Sequence, residues 1–301
     1  MKIVNIIGGL GNQMFQYAFA IALQEKWKEE VKIDTHHYNY LFSKYFHGNN
    51  FYHNGFEIDK IFPCAKLKRA LVWDILKVSF YVPNFALSRI VRKILPKRRY
   101  EFLQKAKDSY IYDDKVFSDN KYRYYEGYWM SAHFFSPYRD IIKETYKFDS
   151  FTSCQNKEYE LLLLKDNSVT IHVRRGDYLN CLNMTNICSL DYYRKAISKV
   201  KEQIPNPVFF IFSNDIEWCK ENLKQDLEKD IVYFVTNNKG SESYRDMQLM
   251  SLARCNILAN SSFSWWGAFL NDRNDQIVFA PNKWITNMNA EEMYLDEWIK
   301  L

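Results

Sequence analysis

Along the C-terminal half of the chain, compact apolar runs alternate with amphipathic stretches. Ser168 to Val173, Pro207 to Phe212, Ile231 to Val235, Ile257 to Ala259 and Gln276 to Ala280 are rich in β-branched and aromatic residues, the pattern of strands buried on both faces. Between them, Leu190 to Ile204, Ile216 to Leu223, Glu242 to Arg254 and Phe263 to Leu270 space their apolar residues three and four apart, as helices do. This alternation predicts a parallel sheet covered by helices on both sides. Such sheets bind ligands at the carboxyl ends of their strands.

The N-terminal half begins the same way. An apolar run from Lys2 to Ile7 is followed by the turn Gly8-Gly9-Leu10-Gly11, a helical pattern from Asn12 to about Glu30, and a second strand from Val31 to Asp34. The turn is not a G-x-G-x-x-G fingerprint, and any tight β-to-α connection favours glycine. From Tyr38 to Lys147 the pattern is irregular and assigns no elements. Two α/β domains are therefore expected, 1–150 and 151–301.

Composition narrows the class. With 301 residues, 47% of them hydrophobic, the chain can bury two cores. It contains no apolar run long enough to span a bilayer, and its N-terminus reads as a strand, with no cleavage site of a signal peptide. Six cysteines without C-x-x-C spacing suggest reduced cytoplasmic thiols and no zinc site. The net charge of +5 is uneven: between Lys66 and Arg99 ten basic residues face one acidic residue, Asp74, giving that segment +9. Aromatic residues are interleaved there, but nothing matches an RRM, KH or helix-turn-helix signature, so nucleic acid is not the expected partner.

Chemistry-bearing residues collect at predicted strand ends. The first strand of the C-terminal half runs into His172, Arg174, Arg175, Gly176 and Asp177, the next into Ser213, Asn214 and Asp215, and the strand from Ile257 into Asn260, Ser261 and Ser262. Each alone has an ordinary explanation as a cap or turn. Three on one sheet edge suggest a ligand. Guanidinium forks and a helix N-terminus opening at Ser261-Ser262-Phe263 suit a diphosphate, and an aspartate such as Asp215 can accept both donors on the N1–N2 edge of guanine. No P-loop and no Asp-x-Asp pair is present, so no metal is expected and fixed positive charge takes its place. Alternation along the strand puts His172 and Arg174 on one face and Arg175 on the other, held by Asp177 or another carboxylate.

With "GGLGNQMFQYAFA", "GYWMSAHFF" from Gly127, "HVRRGDY" from His172, "FSND" from Phe212 and "DMQLMSLARCNILANSSFSWWGAFLN" from Asp246, the sequence resembles the bacterial α-1,2-fucosyltransferases of glycosyltransferase family 11. It departs from them at Met130, where glutamine is expected. The resemblance implies a GT-B type α/β fold, two Rossmann-like domains with parallel sheets facing across a cleft. It assigns GDP-fucose to the C-terminal domain and the acceptor side to the N-terminal one, and implies inverting transfer to the 2-hydroxyl of a galactoside without metal or cofactor. On that basis Arg174 holds the β-phosphate, His172 and Asp215 the guanosine end, and Ser261, Ser262 and Phe263 the phosphates. Asn12, with Gly11 beside it, reaches the diphosphate or sugar. Arg174, Asn12 and Asp177 are the expected catalytic residues, although neighbouring arginines weaken Asp177 as a base. Fucose transfer to another acceptor, or transfer of another GDP-linked sugar, is the alternative. The acceptor is expected to be a galactose-containing glycan in lipid-linked form, with the basic segment 66–99 resting on the inner face of an anionic membrane.

Overall fold

The computed structural model describes residues 1–38, 54–80, 94 and 100–301, and these form two compact units, Met1–Phe148 and Asp149–Leu301. Much of the basic segment, 81–93 and 95–99, lies outside the described residues.

The first unit is built on a five-stranded parallel sheet, ordered β3-β2-β1-β5-β4. Its strands are β1 (Lys2–Asn5), β2 (Val31–Asp34), β3 (Lys68–Arg69), β4 (Glu101–Leu103) and β5 (Tyr124–Glu126). Helix α1 (Leu10–Trp27) is buried along most of its length. It begins two residues before the position its sequence suggests, because the bend is confined to Gly8, at φ +85, and to Gly9, the extended N-cap. Two glutamines hold this bend. Gln16 accepts from the Ile7 N–H at 2.6 Å and donates to its carbonyl at 3.1 Å, while Gln13 donates to the Gly8 carbonyl at 3.1 Å. The Gly-Tyr-Trp segment is also scaffold: Trp129 stacks on Phe19 with centroids 4.2 Å apart, and Met130 is buried. Helix α2 (Val72–Val78) buries Asp74 and Ile75, and leaves Trp73 exposed.

The second unit carries a six-stranded parallel sheet, ordered β11-β10-β9-β6-β7-β8. Its elements alternate in the order α3 (Cys154–Leu163), β6 (Ser168–Val173), α4 (Leu190–Gln203), β7 (Val208–Ser213), α5 (Ile216–Asn222), β8 (Ile231–Val235), α6 (Tyr244–Met250), β9 (Cys255–Ile257), α7 (Ser262–Phe269), β10 (Ile277–Ala280) and β11 (Ile299–Lys300). The central strands feed two cores. Val169, Ile171 and Val173 of β6 pack with Phe209, Ile211 and the Tyr193, Ala196, Ile197 stripe of α4. Phe210 and Phe212 point the other way, to Tyr159, Leu163, Leu249 and Met250.

The strand expected at Ile257 to Ala259 ends at Ile257, and the helix expected over Glu242 to Arg254 is only Tyr244–Met250, preceded by a 3-10 turn. Helix α3 and strands β4, β5 and β11 had no legible pattern in the sequence. Among the described residues no helix is long and apolar enough to cross a membrane.

Candidate functional site

Three clusters stand at the carboxyl ends of β6, β7 and β9. On β6 the alternation holds: His172 lies opposite Phe212 in register and its ring packs against Phe263 at 5.9 Å, on the face away from Ile171 and Val173. His172 is buried, and its Nδ1 has no hydrogen-bond partner among the described residues. Burial, reinforced by the Arg174 charge, pushes its pKa down to about 3, so the ring is neutral. It can bind a ligand edge, and its low proton affinity makes it a weak base.

The two arginines have different surroundings. Arg174 lies over the Tyr178 ring at 5.5 Å. Arg175 donates from Nε to Asp215 at 3.2 Å and stacks 4.3 Å over Trp218, while its N–H reaches Asn214 Oδ1 at 2.9 Å. Gly176 belongs to the same turn because a Cβ there would collide with the Asn214 side chain. Asp177 follows within the 3-10 turn Gly176–Asn180; its side chain is outside the described part.

Asp215 is the N-cap of α5. Its Oδ1 accepts from the Trp218 N–H at 3.2 Å and its Oδ2 from Arg175. Each oxygen therefore has one protein partner, on a side chain that stays 34% exposed, so acceptor capacity remains on this carboxylate. The carboxylate that holds Arg175 is this one. At the end of β9, Ser261 caps α7 by accepting from the Phe263 N–H at 3.3 Å. Ser262 and Phe263, both half-buried, form the helix's first turn, the kind of position whose backbone N–H groups and positive dipole end can receive an anion. Tight packing supports that helix: a Cβ on Gly267 would lie 2.9 Å from Met250 Cβ, so glycine lets α6 and α7 approach.

A fourth cluster, after β8, escaped the sequence reading. Asn237 donates to Asn156 Oδ1 at 2.7 Å, Asn156 to Asn238 Oδ1 at 2.8 Å, and Asn238 to Asp246 Oδ1 at 2.8 Å. Asp246 shows only part of its surface, and desolvation, opposed by the Asn238 bond, raises its pKa to about 7. The available signal was the Asn237-Asn238 pair, one residue beyond the strand predicted over Ile231 to Val235. Gly11 and Asn12 belong to the first unit, at the start of α1, with the Asn12 amide 2.8 Å from where a Gly8 Cβ would stand.

The family model of glycosyl transferase family 11 matches residues 1–301. The chain belongs to glycosyltransferase family 11. It is similar along its length to two Escherichia coli proteins. With an alpha-1,2-colitosyltransferase it shares 31% identity over 99% of this chain and 98% of the other. With the O-antigen biosynthesis glycosyltransferase WbnK it shares 32%, over 98% of each. A galactoside alpha-(1,2)-fucosyltransferase 1 of Leontocebus fuscicollis is 29% identical over 44% of this chain and 37% of that one. Among solved structures, fucosyltransferase NodZ from Bradyrhizobium aligns with TM-score 0.50 at 15% identity, covering 88% of this chain and 90% of that chain. The two parallel-sheet α/β units are thus those of a GT-B glycosyltransferase.

Proposed function

We propose that this family 11 enzyme transfers L-fucose from GDP-fucose to the 2-hydroxyl of a galactoside, with inversion and without a metal. The observation that carries the reading is the edge of the second sheet, where His172, Arg174 and the α7 N-terminus stand at the ends of neighbouring strands β6 and β9. Negative charge grows on the β-phosphate as the sugar leaves. A fixed guanidinium and a helix N-terminus act more strongly on that charge than on the ground state, which raises the rate. Ser261, Ser262, Phe263 and Arg174 are assigned to the diphosphate, His172 and Asp246 to the guanine end, and Gly11 and Asn12 to the sugar side. Asp246 is proposed for this role beside Asp215, because Asp215 already pairs with Arg175 and caps its helix, whereas the only side-chain donor to Asp246 among the described residues is the neutral Asn238 amide. The 31% identity to an alpha-1,2-colitosyltransferase supports a second donor, GDP-colitose, whose sugar is fucose without its 3-hydroxyl.

The acceptor proposed is a galactose-containing glycan carried on lipid, reached from a membrane surface. Leu71 and Trp73 are 67% and 74% exposed, with Lys66, Lys68, Arg69 and Lys77 exposed around them. Basic side chains and an outward tryptophan suit an anionic interface. Incubating the full chain with GDP-fucose or GDP-colitose and a panel of galactosides, with mass detection of product, tests the donor. Transfer of neither sugar would overturn the reading.

A further inference from the structure

We propose that Tyr178 is a positioning residue of the donor site: its ring seats the Arg174 guanidinium, and its hydroxyl ties that ring to the start of α7. The proposal rests on Arg174 holding the β-phosphate, as assigned above, and it lies wholly within the second unit.

Tyr178 is half-buried in the 3-10 turn Gly176–Asn180 that follows β6, a strand lying between β7 and β9. Its N–H donates to the Arg175 carbonyl at 2.6 Å, and the Arg175 N–H is in turn fixed by Asn214 Oδ1 at 2.9 Å, at the end of β7. One neighbouring strand thus sets the backbone of the turn. The side chain is tied to the other: its hydroxyl donates to the Asn260 carbonyl at 3.3 Å, directly before Ser261, the N-cap of α7. Asn260 is itself held, because it is buried and its Nδ2 donates to the carbonyls of Trp284 at 3.2 Å and Met184 at 3.3 Å. The Arg174 guanidinium lies over the ring so secured, 5.5 Å from its centroid, within the range of a cation–π attraction. A ring face steadies a guanidinium without cancelling its charge. A carboxylate, such as the Asp215 that binds Arg175, would compete with a phosphate for it.

One side chain therefore links the cation after β6 to the helix N-terminus after β9, the two elements assigned to one diphosphate. Their spacing matters because negative charge grows on the leaving β-phosphate, and a donor displaced by about an ångström can cost on the order of a hundredfold in rate. Loss of the ring should weaken GDP, spare GMP, which has no β-phosphate, and lower kcat more than affinity. A residue that only packs the loop would weaken both nucleotides alike.

The test titrates GDP and GMP calorimetrically into the full chain as wild type, Tyr178→Phe, Tyr178→Leu and Arg174→Ala, with a melting temperature for each, and measures kcat with the GDP-sugar that wild type transfers. Tyr178→Leu should lose roughly 3- to 30-fold in GDP affinity, the worth of a cation–π contact, while GMP stays within about twofold. Its kcat should fall on the order of a hundredfold. Tyr178→Phe keeps the face and loses the tie, so it should lie between Tyr178→Leu and wild type on both measures. Should Tyr178→Leu not fold, Tyr178→Gln, which also lacks a ring, is judged by the same comparison of GDP with GMP. A wild type that binds GDP no tighter than GMP, or an Arg174→Ala variant that keeps wild-type GDP affinity, overturns the diphosphate assignment and the inference with it. If Arg174→Ala weakens GDP while the ringless Tyr178 variant keeps it within about twofold, or loses GDP and GMP alike, the inference alone is overturned.

Discussion

At the scale of single residues, adjacent side chains of one motif have divided their work. Arg175 is bound into the fold by Asp215, Asn214 and Trp218, whereas Arg174 lies over the Tyr178 ring and its charge acts on His172. Lysine at 174 keeps the charge but loses the planar fork. Arg174→Lys should therefore lower turnover on the order of a hundredfold, as when a transition-state donor is misplaced, with an unchanged melting temperature. Arg175→Lys should show the opposite, a lower melting temperature at near-normal turnover; steady-state kinetics and thermal melts of both variants decide it. Asp246 makes a second residue-scale prediction. Its folded pKa of about 7 lies above the unfolded value, so the folded chain holds this proton more tightly. Stability from this group is full below the unfolded pKa and is lost as pH rises through about 7. Asp246→Asn should accordingly raise the melting temperature at pH 8 and leave it nearly unchanged at pH 4. If the ionised carboxylate pairs with guanine, wild-type GDP affinity should fall about tenfold per pH unit below 7, and Asp246→Asn should weaken GDP far more than ADP. Calorimetric titration that shows equal losses for both nucleotides would confine Asp246 to a structural role.

At the scale of elements, legibility followed the regularity of burial. Strands such as β6 and β7 are buried almost throughout, so their apolar runs matched their residues closely, and the amphipathic α4 was equally clear. Two- and three-residue strands such as β3, β4 and β11 carry too few positions for any periodicity, and β5 is defined by pairing with β1 and β4. Helix α1 gave its start away poorly because the apolar stripe continues through the bend, and only the backbone of Gly8 and Gly9 marks the end of the turn. In the candidate site, arginines and serines at strand ends were visible as composition. Asp246 was not, since what distinguishes it is desolvation, which arises only in the folded chain. The packing of α6 against α7 depends on Gly267. Gly267→Ala puts a methyl against Met250 and should cost about 1–3 kcal/mol, read as a lower denaturant midpoint; a wild-type midpoint would show that the two helices have slack.

At the scale of the molecule, two parallel-sheet units repeat one plan with different chemistry at their edges. The second unit gathers guanidinium groups, a helix N-terminus and a desolvated carboxylate, and the first a glycine bend and Asn12. The exposed Trp73 and its basic neighbours add a surface whose prediction can be checked by flotation. The full chain should rise with vesicles containing anionic lipid and stay behind with neutral ones, and Trp73→Ser should reduce the recovery; equal recovery on both vesicles would remove the membrane contact. The most direct measurement is the position of the new glycosidic bond. Product formed from GDP-fucose and a β-galactoside should show, by two-dimensional NMR, a through-bond correlation between the anomeric proton of fucose and C2 of galactose, in the α configuration. A bond to any other galactose carbon, or a β product, would contradict inverting transfer to the 2-hydroxyl.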